Sequence, residues 1–191
     1  MSEVMIDIET LSTQPNALIL TIGAIKFNRA DRTFKDIKEY ETLYVKVNKS
    51  SLDTFHIDPD TQTWWSMQSK DAQNEVFGGE NRVNIKEALL ALTKFIKGSR
   101  SYWSNSPNFD YVILENAYRQ CGLESPWKFW ELMDTRTVYN LAGVSLKAMS
   151  AKFPSKVYHH AIDDCHKQIL TLYQALDILV PISNQIKRRK I

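Results

Sequence analysis

The sequence predicts an α/β fold with a central mixed sheet of five strands, the first three antiparallel, flanked by helices. Three observations predict it. The first quarter of the chain carries three β-branched, apolar segments separated by turn residues. Helical stripes then alternate with short apolar triplets over the remainder. With 43% hydrophobic and 24% charged residues in 191, there is enough apolar surface for a substantial core in one domain spanning 1–191.

Val4 to Glu9 reads as the first strand, closed by the turn residues Ser12, Thr13, Pro15 and Asn16. Ala17 to Phe27 and Tyr40 to Val47 are rich enough in branched and aromatic residues to be the next two, and short connections make the three a meander. Asn48 to Arg82 is rich in Asp, Gln, Asn and Ser, and reads as an inserted loop with one or two short helices. Asn84 to Lys97 sets Ile85, Leu89, Leu92 and Ile96 on one stripe and ends at Gly98. A strand follows at Ser101 to Trp103, then a helix from Asn108 to Cys121 closed by Gly122. Leu132 to Asp134 is the fifth strand. Helices open near Asp134 and cover Ser145 to Phe153 and Ala161 to Leu179, the last stopped by Pro181.

Composition excludes several classes. Twelve Gly and Pro residues are too few for a disordered or repetitive chain. Cys121 and Cys165 build neither a disulfide framework nor a zinc ribbon, which points to a reducing compartment. The opening MSEVMIDIET lacks the basic-then-apolar order of a signal peptide, and no apolar run is long enough to span a bilayer. The expectation is a soluble cytoplasmic protein with no membrane partner. A net charge of +2 suits a nuclease with an acidic centre and basic rim better than a DNA-coating protein. The basic run Lys187 to Lys190, in a tail spanning 187–191, reads as a solvated end.

Three acidic patches carry the chemistry. In the first strand, period-two alternation turns Ile6 and Ile8 to one side and Asp7 and Glu9 to the other, with Cα atoms roughly 6.5 to 7 Å apart. Two carboxylates on an apolar strand are costly unless a cation compensates them. The second patch, Asn105-Ser-Pro-Asn-Phe109-Asp110, leaves a strand and opens a helix, where Asn108 or Asp110 also suits an ordinary N-cap. The third, Tyr158-His159-His160-Ala161-Ile162-Asp163-Asp164, starts the last helix; His159, His160 and His166 lie within it or just after it. Helical phase separates Asp163 from Asp164 poorly, because both flank the stripe of Ile162, Cys165, Ile169, Leu172 and Leu176.

In order and spacing, D-x-E, N-x-x-x-F-D and H-x-x-x-x-D resemble the three motifs of the DEDDh family of 3′–5′ exonucleases, in the DnaQ-like branch of the ribonuclease-H-like fold. The tyrosine variant does not fit, since Ile162 stands at the required distance from Tyr158. More narrowly, Trp64-Trp65, Phe129-Trp130 and Asp134-Thr135-Arg136-Thr137 make the chain similar to the phage exodeoxyribonuclease A group and related small bacterial exoribonucleases.

The resemblance implies that Asp7, Glu9, Asp110 and Asp164 hold two divalent ions, Mg²⁺ or Mn²⁺. Such ions, about 3.5 to 4 Å apart, serve both the attacking water and the leaving oxygen of a phosphodiester. It implies His159 as general base, chosen over His160 by its spacing to Asp164, with acidic neighbours raising its pKa. It also implies that Thr10 and Leu11 hold and wedge the terminal nucleotide, with Asn105 in the site. Trp64 or Trp65 either stacks a base or anchors the core, Phe109 reads as packing, and Asp134 as an N-cap. The implied activity releases nucleoside 5′-monophosphates from the 3′ end of single-stranded nucleic acid, DNA ahead of RNA or short oligoribonucleotides; a homodimer stays open. An inactive binding module on the same fold is the alternative, and the intact set of four acids and a histidine argues against it. No G-x-S-x-G elbow or phosphate-binding G-x-x-x-x-G-K-[ST] loop suggests another hydrolase.

Overall fold

The computed structural model describes residues 2–48, 54–147 and 159–188, the last eight as backbone only. Its strands are β1 (Glu3–Thr10), β2 (Ile19–Phe27), β3 (Glu41–Val47), β4 (Arg82–Val83), β5 (Tyr102–Ser104) and β6 (Leu132–Asp134). The helices are α1 (Pro59–Ser66), α2 (Lys70–Phe77), α3 (Ile85–Ile96), α4 (Pro107–Gln120), α5 (Thr135–Ala142) and α6 (Ala161–Arg188). The sheet runs β4-β3-β2-β1-β5-β6, with β1, β2 and β3 antiparallel and the pairs β1–β5, β5–β6 and β3–β4 parallel.

The sixth strand departs from the expected five. Arg82 and Val83 pair with Lys46 and Val47, a two-residue ladder too short to leave any periodicity. The Arg82 guanidinium ties this edge down by donating to the Val47 and Gly78 carbonyls at 3.0 and 2.9 Å. The insertion does hold two helices, α1 and α2. The last helix passes Pro181 and continues to Arg188. A proline inside a helix forfeits one backbone hydrogen bond, and the packed turns before it already secure the helix. Most of the helix expected over Ser145 to Phe153 lies outside the described residues, as does the end of the basic tail.

Strand alternation divides the core in two. Val4, Ile6 and Ile8 of β1 join Ile22 and Ala24 of β2 against α3 and α4, through Leu89, Leu92, Leu114 and Ala117. On the other face, Met5, Ile25 and Phe27 meet Cys165, Ile169 and Leu172 of α6 and Tyr139 of α5. Asp7 and Glu9 share this second face, as their phase with Met5 requires.

One row across the sheet sets where α6 begins. Asp7 lies opposite Gly23 on β2, and Gly23 lies opposite Tyr44 on β3. The first residue of α6 rests on Gly23, where an added Cβ would lie 2.7 Å from the carbonyl carbon of Ala161. The Cys165 thiol points at the carbonyls of Met5 and Gly23, 3.6 Å from each.

Gly23→Ala therefore tests the row. Removing a glycine from a strand interior by itself stabilises by roughly 0.5–1 kcal/mol, whereas overpacking against backbone costs about 1–3 kcal/mol. The clash should win and lower the urea midpoint. An unchanged or raised midpoint would show that α6 does not bear on β2 as described.

Candidate active site

The C-terminal half of β1 carries Asp7 and Glu9 to the end of the sheet where β5 and β6 also terminate. There β5 passes through Asn105 and Ser106 into α4, which begins at Pro107 and not at the expected Asn108. Proline suits a first helical position, where an N–H would have no partner. Asp110 is not a cap: its carboxylate turns inward and accepts from the Ile8 amide at 3.3 Å. The start of α6 brings up Asp164, and His159 stands just before that helix. Asp7, Glu9, Asn105, Asp110, His159 and Asp164 all line one cavity of about 320 Å³.

Asp164, and not Asp163, faces this cavity. The Asp163 carboxylate instead lies 3.9 Å from Nδ1 of His160, outside it. The two histidines separate as well: His159 lines the cavity, while the His160 ring stacks on Tyr44 with centroids 4.6 Å apart. Ligand atoms of Glu9, His159 and Asp164 lie within 4.8 Å of one another.

The electrostatics are those of acids crowded out of water. Burial, then repulsion from Asp110, Asp164 and Glu9, pushes Asp7 well above the usual carboxylate range. Burial and the charges of Asp164 and Asp110 do the same to Glu9. Asp110 is raised to about 7 by burial, with the Ile8 amide and the Arg136 charge partly opposing. His159 moves down, against expectation, because burial outweighs the pull of Asp164 and Lys167 adds to the lowering. Its imidazole is thereby neutral near pH 7.

Two residues absent from the sequence-based site hold these acids. The Gln168 amide donates to Asp7 Oδ1 at 2.8 Å, and Lys167 Nζ lies 2.9 Å from Asp164 Oδ1. They stand three and four residues after Asp164, on its face of α6, so helix arithmetic from that residue finds both. Arg136 and Lys147 add positive charge to the cavity wall. The described non-glycine residues with positive φ, Ser106 at 143° and His159 at 60°, both line it. Strained backbone of this kind collects where a site fixes geometry at the expense of comfort.

A second cavity of about 420 Å³ adjoins the first across Ile8, Glu9 and Phe109, and is walled by Thr10, Trp64 and Trp65. Trp65 is 2% exposed and its indole N–H donates to the Thr10 carbonyl at 2.9 Å, so it anchors this wall from the core. Trp64, 39% exposed, is the more open of the two tryptophans. Leu11 is buried in the main core and lines neither cavity, which corrects its expected wedging role. The alternation that exposes Asp7 and Glu9 breaks at a register shift between Glu9 and Thr10, and Leu11 lies beyond it. Asp134 is an N-cap, accepting from the amides of Arg136 and Thr137.

Fold and sequence together match a family of 3′–5′ exoribonuclease-like domains. Residues 2–176 match the 3′–5′ exoribonuclease Rv2179c-like domain, and the chain belongs to that family. No curated protein matches it by sequence. Among solved structures it is similar to E. coli exonuclease I in complex with a dT13 oligonucleotide. There the TM-score is 0.68 at 13% identity, over 96% of this chain and 43% of that one. A zinc-bound form of the E. coli exonuclease I–single-stranded DNA complex superimposes with a TM-score of 0.66 at 14% identity, over 92% and 40% of the two chains. The nuclease domain of 3′hExo, a DEDDh family member bound to rAMP, gives 0.65 at 14% identity over 92% of both chains. The chain thus spans less than half the length of exonuclease I, and these likenesses establish the fold. Among the described residues no helix is long and apolar enough to cross a membrane.

The raised carboxylates make stability depend on pH. A carboxyl whose folded pKa is raised stabilises the fold while protonated, and that contribution is lost as pH rises through the folded value. For Asp110 it is complete below 3.8 and gone above about 7. Without divalent ions, the melting temperature should fall between about pH 4 and 7, and Asp110→Asn should flatten that fall. Identical pH profiles for the two proteins would exclude Asp110 as its source.

Proposed function

We propose that this protein hydrolyses phosphodiester bonds one nucleotide at a time from the 3′ end of single-stranded RNA. Asp7, Glu9, Asp110 and Asp164 hold two divalent ions, and His159 is the general base. The observation that carries this reading is the meeting of those four carboxylates and one imidazole in a single cavity, from three separate parts of the chain.

The residues fit hard divalent cations. The four carboxylates offer oxygen donors, as Mg²⁺ and Mn²⁺ prefer, and their raised pKa values mark a site short of positive charge. When bound, two such ions supply the charge that offsets the negative phosphate and both reacting oxygens. The chain's own groups do the rest. His159, uncharged near pH 7, accepts a proton from the attacking water, and the Asp164 carboxylate favours the imidazolium that results. Gln168 and the Ile8 amide hold Asp7 and Asp110 in fixed orientations. Arg136 and Lys147 attract the phosphate chain.

The adjoining apolar cavity suits the terminal base, with Trp64 as the stacking surface, worth about 1–3 kcal/mol per base. The family description favours RNA over the DNA that the sequence resemblance put first. DNA is the second reading, supported by the oligonucleotide seen with exonuclease I.

Asp7→Ala, Glu9→Ala, Asp110→Ala and Asp164→Ala should each abolish Mg²⁺- or Mn²⁺-dependent release of 5′-monophosphates, and pairs should lose no more than singles. His159→Ala should lower kcat by roughly 10² to 10⁴ with little change in KM. The assay uses end-labelled single-stranded RNA and DNA of one sequence. Activity in any acid variant removes that residue from the proposed site, and faster degradation of DNA reverses the substrate order.

A further inference from the structure

We infer that His160, held by Tyr44 and Glu75, is a positioning residue that fixes His159 over the carboxylates. The inference rests on the reading of His159 as general base.

His160 touches none of the cavity, yet its surroundings are built. Its ring stacks on Tyr44 at 4.6 Å between centroids and 30° between planes. Its Nε2 lies 3.6 Å from Oε1 of Glu75, and its Nδ1 faces the Asp163 amide at 3.4 Å. Glu75 is itself pinned, accepting from the Tyr44 hydroxyl at 2.9 Å and pairing with Lys46 Nζ at 2.8 Å. Three elements thereby grip one side chain: β3 through Tyr44 and Lys46, α2 through Glu75, and the first turn of α6 through Asp163.

That grip acts on the neighbouring residue. His159 has φ 60°, a conformation a non-glycine residue keeps only where its surroundings enforce it. From the other side the edges of Trp64 and Trp65 meet its ring, at 4.8 and 5.8 Å between centroids. The tryptophans confine the imidazole laterally, and the His160 anchor sets the backbone from which it projects. Tyr44 occupies the row that also holds Asp7 and Gly23, so the anchor and one carboxylate share a common strand register. A shift of about 1 Å at a reacting group is enough to cost 10²-fold in rate.

The test compares kcat, KM and the Mn²⁺-induced rise in melting temperature for single variants of His160, Glu75 and His159, and for their doubles, on one single-stranded RNA. His160→Ala and Glu75→Ala should lower kcat by about 10- to 100-fold, with KM and the Mn²⁺ response unchanged. His160→Phe keeps a ring on Tyr44 and should recover most of the loss. Added to His159→Ala, neither His160→Ala nor Glu75→Ala should reduce kcat further, since there is no longer a base to aim. Should His160→Ala fold poorly, Tyr44→Phe, which deletes only the hydroxyl held by Glu75, carries the same comparison. Wild-type kcat in these variants, or losses that add fully to that of His159→Ala, would overturn the positioning role alone. Wild-type kcat in His159→Ala would overturn the general-base reading and the positioning role with it.

Discussion

The constraint on which the structure turns is the confinement of like charges. Asp110 is buried, Asp7 and Glu9 are half-buried beside it, and crowding with Asp164 leaves Asp7, Glu9 and Asp110 holding their protons to a higher pH than solvated acids would. Such a cluster persists only if the rest of the fold holds it together. The central position of β1 does so, with β2 on one side and β5 on the other and apolar residues filling both faces. Single hydrogen bonds from Ile8 and Gln168 and the charge of Lys167 orient the carboxylates without discharging the cluster. What remains is a cavity that prefers a multivalent cation to any side chain.

Much of this was legible in the sequence because it follows from local periodicity. Alternation along Val4 to Glu9 put Asp7 and Glu9 on one face, and the structure agrees to the residue. Hydrophobic spacing found α3, turn and capping residues bounded α4 to within a residue at each end, and Asp134 marked the start of α5. Asp164 was not separable from Asp163 by helical phase, because both border the apolar stripe; the docking of α6 on Gly23 decides between them. Leu11 and Trp65 escaped for a related reason. A residue beyond a bulge no longer keeps strand phase, and neighbouring tryptophans give no clue to which one is buried. The β4 edge is a tertiary fact, a ladder too short to pattern, whereas Gln168 becomes legible by helix spacing once Asp164 is fixed.

The insertion between β3 and β4 illustrates how irregular sequence acquires a role. Its composition suggests a polar loop with one or two short helices; of these α1 supplies Trp64 and Trp65 and α2 supplies Glu75. Those three side chains reach two consecutive histidines from different directions. The same tryptophans wall the apolar cavity beside the carboxylates. One segment therefore shapes the recess suited to a base and confines the imidazole suited to taking a proton.

That economy has a structural consequence for the strained residues. His159 and Ser106 both bear positive φ and both line the cavity of the carboxylates, where such a backbone is uncommon for a residue other than glycine. Ser106 leads from β5 into a helix opened by Pro107, and a proline favours extended backbone with negative φ in the residue before it, so the positive φ of Ser106 is held against that local preference. His159 is met by Trp64 and Trp65 of the insertion. Its conformation depends on contacts distant in sequence, from the insertion and from β3 through its neighbour His160. A backbone geometry enforced locally survives loosening of the surrounding fold, whereas one enforced by tertiary contacts lasts only while those contacts do. The orientation of the imidazole is therefore a property of the assembled molecule, and the carboxylate carried by β1 is much closer to a property of the strand.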